Sequence, residues 1–439
     1  MPPSRPNAPF SEPYWHYGAP PPYYTESHFK LQAETRAYVN EYITPFCEEW
    51  ERQGSIPREA SSTLHKRRGL LGYVAAGLFP PEPDYLGEVI LPCGIPPDKW
   101  DGFHDHIVVD ELTRCGYMGV VWALACGNII GCPPLINHGT PEQKRRLLPS
   151  IYNGTTRFCL AVTEPSAGSD VAGIKTVAKR QGDKYIVNGT KKWITNGVYA
   201  DYCTAAVRTG GPGQSGISAL VIPLDAKGVT RRRMDNSGIN ASGSTFIEFD
   251  DVEVPIGNLL GKENEGFGII MSSKVTDFNH ERLWLATICL RLARVCVGHA
   301  HDYATKRETF GKKLIENQII RAKLVDSGKK IQAAYAWLEQ LIWTRQRLTN
   351  HDGPDTLGAS VAMLKTLSAR TLEETVREAQ QIFGGLGYSK NGRGRVVEQI
   401  SRDFRVLVVG GGSEEILTDF AYRQESRTLK RLANEASKL

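Results

Sequence analysis

The chain has 439 residues, 41% of them hydrophobic, and a formal net charge of +5 with acidic and basic residues interspersed. That length accommodates two or three domains and that apolar content an ample core, while so weak a charge gives no basis for a nucleic-acid partner. No run approaches the apolar length of a membrane span, and nine scattered cysteines without CxxC or metal-ligand spacing read as free thiols of a reducing compartment, with no metal site.

Residues 1–25 form a proline-rich tail carrying Tyr14, Trp15 and Tyr17, expected to be extended rather than helical. One arginine and Glu12 set it apart from a mitochondrial presequence, and it lacks the apolar core of a secretion signal. Phe29, Ala33, Ala37, Tyr38 and Tyr42 recur at helical spacing within Glu26–Arg52, where Pro45 restricts the turn. Ser61–Gly69 reads as another short helix. Phe79–Asp101 is a proline- and glycine-rich loop of a length that marks a role or mobility. Phe103–Cys115 and Val120–Leu135 read as helices, the second strongly apolar and central. Thr140 as N-cap with Pro141 behind it starts a short helix over Pro141–Leu148.

The stretch Leu160–Gly197 is the most informative. Thr163 to Asp170 is a run of small and polar residues, which brings backbone N–H groups and hydroxyls close to a ligand. Ile174–Lys179 alternates like a strand, Gln181-Gly182-Asp183 turns, and Tyr185–Val187 returns. Asn188-Gly189 predicts a further type I′ hairpin turn. Lys191-Lys192-Trp193-Ile194-Thr195-Asn196 then presents a tryptophan beside a hydroxyl and an amide. Strands follow at Tyr202–Arg208, Ile217–Pro223 and Thr245–Val254, with Arg231-Arg232-Arg233 read as a solvated loop. From Gly266 the pattern is helical, over Ile288–Tyr303, Lys323–Arg347 and Gly358–Ile382, and long helices with short loops predict a bundle.

Thr163-Glu164-Pro165-Ser166-Ala167-Gly168-Ser169-Asp170 followed by Lys191 to Gly197 resembles the flavin-binding middle of the acyl-CoA dehydrogenases. The resemblance covers nearly the whole chain from about Glu26 and is weakest in the Phe79–Asp101 loop, which the family places toward the substrate. It implies an α+β fold: an N-terminal helical domain over 26–156, a central β-barrel-like domain over 157–262 and a C-terminal four-helix bundle over 263–436. It implies FAD lined by Leu160, Val162, Thr163, Gly168 and Ser169, with Ser169 also near the bound thioester and Trp193 and Thr195 on the flavin ring. An aromatic face suits a planar ring, and a hydroxyl can hydrogen-bond a ring nitrogen. Lys306 to Lys312 resembles a family segment whose arginine, here Arg307, reaches the FAD pyrophosphate and whose phenylalanine, here Phe310, lies near the flavin. Gln318, Gln381, Gly384, Gly385, Ser413 and Glu415 fall on further FAD-contacting segments. In the family several of these contacts cross to a neighbouring subunit, which implies a homo-oligomer, a tetramer of paired dimers.

The implied reaction removes an α-proton from an acyl-CoA thioester and needs a carboxylate in a dry pocket. Many members carry that glutamate in a C-terminal tyrosine-glutamate-glycine-threonine segment. The matching stretch here is Val409-Gly410-Gly411-Gly412-Ser413-Glu414-Glu415, with Gly411 in the glutamate's place and Gly411 and Gly412 on the substrate side. The isovaleryl- and long-chain-type members place the base on the first long helix of the bundle. Phe278-Asn279-His280-Glu281-Arg282-Leu283 resembles that segment. Glu281 matches the glutamate, Arg282 a substrate-associated arginine, and Asn279 stands where aspartate is usual.

The terminal Ser437-Lys438-Leu439 matches the address read by the peroxisomal import receptor. The expected protein is therefore a peroxisomal FAD-dependent acyl-CoA dehydrogenase passing electrons to an electron-transfer flavoprotein or to O2. Alternatives are an acyl-CoA oxidase, a related flavoenzyme tailoring a specialised-metabolite acyl chain, and a non-catalytic flavin-binding module.

Overall fold

Thr25 opens the first long helix, α1 (Glu26–Tyr42), and its backbone N–H donates to Nδ1 of His28 at 2.9 Å, a histidine doing the work of the glutamate in a capping box. Asp101 caps a later helix, Gly102–Thr113, in the same manner, accepting from the N–H groups of Phe103 at 2.9 Å and His104 at 3.0 Å. The two caps meet: His28 Nε2 lies 3.0 Å from Asp101 Oδ1, and the His28 and His104 rings stack at 3.9 Å. These three side chains bring metal-ligand atoms within 4.8 Å of one another, but the same atoms are taken up by the caps.

A computed structural model describes residues 7–18, 20–57, 81–271, 278–347 and 357–436. The helix expected at Ser61–Gly69 and the terminal Ser437-Lys438-Leu439 lie outside the described residues. The helices in chain order are α1, α2 (Cys47–Gln53), α3 (Gly102–Thr113), α4 (Met118–Val121), α5 (Gly127–Gly131), α6 (Pro133–His138), α7 (Pro141–Tyr152), α8 (Gly266–Met271), α9 (Phe278–Lys306), α10 (Gln318–Arg347), α11 (Gly358–Phe383), α12 (Arg395–Val409) and α13 (Glu414–Ala436). Helical N- and C-terminal parts thus flank a central sheet in sequence, an α+β fold with a C-terminal helix bundle. By Cα proximity the chain divides into a helical unit of residues 1–44, 101–117 and 279–439, and a second unit of residues 45–100 and 118–278.

In the helical unit α11 packs against α10, α12 and α13, and α1 against α3. The N-terminal tail is not simply extended. Tyr14–His16 forms a 3-10 turn, Trp15 is buried with its ring stacked on Tyr24 at 4.2 Å, and Glu12 is buried. Glu12 accepts from Arg36 at 3.2 Å, Arg114 at 2.5 Å and Arg291 at 3.0 Å. Burial pushes the Glu12 pKa up, but those arginines and His16 outweigh it and hold the carboxyl far below the usual range. Aromatic anchoring and ion pairing override the local preference of a proline-rich segment.

The second unit holds one eight-stranded sheet. Its strands are β1 (Phe158–Ala161), β2 (Val177–Gln181), β3 (Lys184–Ile194), β4 (Tyr202–Arg208), β5 (Ile217–Pro223), β6 (Val229–Arg233), β7 (Thr245–Pro255) and β8 (Leu259–Leu260). The order is β6-β7-β3-β2-β4-β5-β8, with β1 parallel to β4. Inward residues such as Tyr185, Val187, Cys203, Leu220, Phe249 and Val254 make its core. Two expectations fail. Asn188-Gly189 is not a turn but lies inside β3, where the register against β7 shifts between Val187 and Gly189. The turn is the one at Gln181-Gly182-Asp183, where Gly182 has φ +62°. Asn188 instead exchanges hydrogen bonds with Asp251 at 2.9 Å. Arg231-Arg232-Arg233 is solvated as expected but is strand β6 rather than a loop, because its backbone pairs with β7; Arg231 also donates to the carbonyls of Gly197 and Ala200, and Arg232 lies over the Phe246 ring at 5.0 Å.

The apolar stretch after Met118 is helical with a π turn at Trp122–Cys126. A Cβ on Gly127 would meet Phe158 O and, at 2.6 Å, Asn196 Oδ1; one on Gly131 would meet Cys159 C at 2.7 Å. The bare backbone lets α5 lie directly on β1. By length and composition Met118–His138 and Asn279–Lys306 are apolar enough to cross a membrane, contrary to the reading of the sequence. In each, 83% of the most apolar window is buried, as in the core helices of a folded domain.

Candidate functional site

Strand β1 leads into the exposed loop Val162–Asp170, and the loop is held from beneath by a buried ion pair. Lys191 Nζ donates to Glu164 Oε1 at 2.8 Å and to the Val162 carbonyl at 3.0 Å. The Glu164 carboxylate also accepts from the N–H groups of Lys175 at 2.6 Å and Thr176 at 2.9 Å. Burial pushes the Glu164 pKa up, but Lys191 and the N–H donors prevail and lower it; burial brings Lys191 down to about 8 against the pull of Glu164. One residue on, Lys192 N–H donates to the Thr163 carbonyl at 2.8 Å, which joins the loop to the end of β3.

That end is irregular. The register shifts between Lys191 and Ile194, and Trp193 has φ +64°, a conformation that costs a bulky residue of order 1–3 kcal/mol. The result is a ring 54% exposed between two buried neighbours, Lys191 and Ile194. Asn196, also at positive φ, locks the segment by donating to Ser242 O at 2.7 Å and accepting from Gly127 N–H at 2.8 Å. Leu160, Val162, Thr163, Gly168, Ser169, Trp193 and Thr195 therefore share one unit; Gly168 and Ser169 are exposed, and a Cβ on Gly168 would meet nothing within 4 Å. An open small-residue loop and a tryptophan held outward in a strained conformation fit a planar aromatic cofactor.

In the helical unit α9 carries Glu281 in its first turn. Gly411 has φ +66°, and a Cβ there would lie 3.7 Å from Glu281 Oε1 and 2.6 Å from Leu285 Cδ1. The position lacking a glutamate and the position carrying one are thus side by side. Arg282 Nε donates to Gly411 O at 3.3 Å, and its guanidinium stands 5.4 Å from the Phe420 ring. Arg282 Nη1 reaches Asn279 Oδ1 at 3.5 Å, so the asparagine keeps a contact with the arginine. Burial raises the Glu281 pKa, opposed by the charges of Arg282, Lys365 and His280. A carboxylate poised in this way can take a proton from a weakly acidic carbon.

Glu281, Arg282, Gly411 and Gly412 are brought together. The remaining expected residues are spread over exposed stretches. Arg307 follows the far end of α9, roughly 39 Å along the helix from Glu281. Phe310, fully exposed at φ +50°, tips a short hairpin of β9 (Glu308–Thr309) and β10 (Lys312–Lys313). Gln318 begins α10; Gln381 lies in the last turn of α11, and Gly384 at φ +61° with Gly385 ends it. Ser413 and Glu415 stand at the start of α13, where Ser413 O accepts from Leu417 N–H at 2.9 Å. Glu414 pairs with Arg370. The sequence reading missed Glu164, Lys191 and Lys365 as structural participants. For Lys191 the available signal was its alternation in phase with the inward Tyr185 and Val187.

The acyl-CoA dehydrogenase N-terminal, middle and C-terminal domain models match residues 97–155, 159–252 and 264–425. An acyl-CoA dehydrogenase of Alternaria alternata is 49% identical over 96% of this chain and 97% of its own length, and one of Emericella nidulans 41% over 97% and 96%. The crystal structure of a probable acyl-CoA dehydrogenase from Mycobacterium abscessus superimposes with a TM-score of 0.80 at 34% identity, covering 91% of this chain and 99% of that one. With all three domains matched and near-full-length relatives at such identity, the chain belongs to the acyl-CoA dehydrogenase family, flavoprotein oxidoreductases acting on acyl-CoA.

Proposed function

We propose that this enzyme converts an acyl-CoA thioester to the trans-2-enoyl-CoA with Glu281 as the base that takes the α-proton. The observation that carries the reading is the Glu281 carboxylate lying 3.7 Å from where a Gly411 side chain would begin. FAD, when bound, accepts the hydride from the β-carbon. The loop Leu160–Ser169 with Trp193 and Thr195 would hold its ring, and Arg307 its pyrophosphate, where a guanidinium suits phosphate oxygens. Arg282 and the Gly411–Gly412 backbone would orient the thioester, and burial around Glu281 keeps the carboxylate basic.

The resemblance of the Arg307–Phe310 and Gln381–Gly385 segments to family segments whose contacts cross to a neighbouring subunit supports a homotetramer, in which a neighbouring chain would cover the fully exposed Phe310. Ser437-Lys438-Leu439 supports import into peroxisomes. Electrons then pass to an electron-transfer flavoprotein or to O2; in the second case the enzyme is an acyl-CoA oxidase, and hydrogen peroxide yield distinguishes the two. The test is anaerobic flavin reduction with a panel of acyl-CoA thioesters. Glu281→Gln should retain FAD and bind the thioester but reduce its flavin about 10²–10⁴-fold more slowly. Wild-type speed in that variant would place the base elsewhere.

A further inference from the structure

Lys365 lies on α11 and is 1% exposed. Its ammonium donates to the carbonyl of Val408 at 2.7 Å, in the last turn of α12, and to that of Gly412 at 2.9 Å. Among the described residues it has no carboxylate within 4.0 Å. An ammonium buried on carbonyls alone is costly, and a methionine would fill the same volume without that cost. What the charge adds is a grip on Val408 and Gly412, the two ends of the 408–412 segment that contains Gly410 and Gly411. Arg282 holds the carbonyl between them, that of Gly411. This segment is the one that abuts the Glu281 carboxylate.

The α9 groups that act on Lys365 electrostatically are Cys289, Glu281 and Arg282. On the other packed helices Lys323 pairs with Glu378, Lys330 with Glu374, Arg402 with Glu398, Arg405 with Glu373 and Glu414 with Arg370, while Asp403 accepts from Gln399. Glu281 is thus the carboxylate whose ionisation Lys365 favours, opposing the burial that disfavours it. Burial lowers Lys365 to about 8, with Cys289 and Glu281 raising it and Arg282 lowering it.

We propose that Lys365 is a positioning residue for the Glu281 base: it clamps the Gly410–Gly412 segment beside the Glu281 carboxylate and supplies the positive charge that keeps that carboxylate ionised. The inference rests on Glu281 being the base. The experiment is anaerobic flavin reduction by a saturating acyl-CoA across neutral and alkaline pH, in wild type, Lys365→Met, Lys365→Arg and Glu281→Gln. The base works deprotonated, so the rate rises with pH through its pKa. Removing the cation raises that pKa. Lys365→Met should therefore shift the rising limb by about one unit toward alkaline pH, the size of effect a neighbouring charge produces. The loss is then largest at neutral pH and recovered at high pH. Lys365→Arg should track wild type. A Lys365→Met profile lowered by one factor at every pH, or not shifted, overturns the proposal. If Lys365→Met retains no FAD, Lys365→Arg decides alone, since a folded arginine variant with the shifted limb overturns it equally. Glu281→Gln separates the two claims. Wild-type speed there removes the base, whereas slow Glu281→Gln with an unmoved Lys365→Met profile removes Lys365 only.

Discussion

At the scale of single residues, two positions in different helical neighbourhoods address the same point in space. A Gly411 side chain would start beside Glu281 but would also run into Leu285 at 2.6 Å, and φ +66° strains any residue other than glycine. Returning the carboxylate to the commoner family position therefore needs room. Glu281→Gly/Gly411→Glu should recover only a small part of the rate of flavin reduction. Adding Leu285→Ala should recover more, and the order of the two rates checks the geometry. Glu281 and Gly411 were legible in the sequence because both sit in dense motifs. Lys365, Glu164 and Lys191 were not, since a charged residue within a periodic segment reads as a solvated face until the fold buries it. Breaking the buried pair by Lys191→Met leaves Glu164 with its two N–H donors but no counter-charge, and should cost up to about 3–5 kcal/mol of stability. Thermal unfolding measures that loss.

At the scale of elements, the helices and most strands followed from periodicity and capping. Pro141 after Thr140 starts α7, and Thr140 caps it with Gln143 returning the bond. The failures share one cause: tertiary partners outweighed local preference. Asn188-Gly189 favours a tight turn in isolation but is absorbed into β3 once β7 pairs alongside, with the extra residue of the bulge carried by β7 around Asp251 at φ +49°. Three consecutive arginines are solvated as expected but read as a loop, until pairing with β7 draws their backbone into a strand. The seat of α5 on β1 was invisible because glycine gives no apolar signal. It predicts that Gly127→Ala, which drives a methyl into Phe158 O and Asn196, destabilises the protein by roughly 1–3 kcal/mol. Because Asn196 anchors the segment carrying Trp193, the same variant should lose FAD more readily on dilution.

At the scale of the whole molecule, stability should fall at acid pH. Glu12, Asp101 and Asp110 all have pKa values held below their ordinary ones by partners that outweigh burial. A lowered carboxyl contributes its stability in full above its unfolded value, about 4, and loses it as pH falls below that. The melting temperature should therefore drop steeply below about pH 4. Glu12→Gln should flatten the limb while lowering the plateau, and a Glu12→Gln acid limb as steep as wild type would contradict the assignment. Localisation is tested on the same scale. A fluorescent fusion with a free C-terminus should be punctate, and diffuse once Ser437-Lys438-Leu439 is removed.

The tail's ion cluster has one more consequence, for the order in which the molecule is made. Glu12 belongs with Arg36, Arg114 and Arg291, so the helical unit closes only with a residue synthesised after the entire sheet unit. At about 5–20 residues per second, the tail waits on the order of 15–55 seconds for Arg291. Until Arg291 emerges the Glu12 cluster is incomplete, whereas every strand of the sheet unit has by then been synthesised. The N-terminal ion cluster is thus the last of these contacts that the order of synthesis allows to be completed.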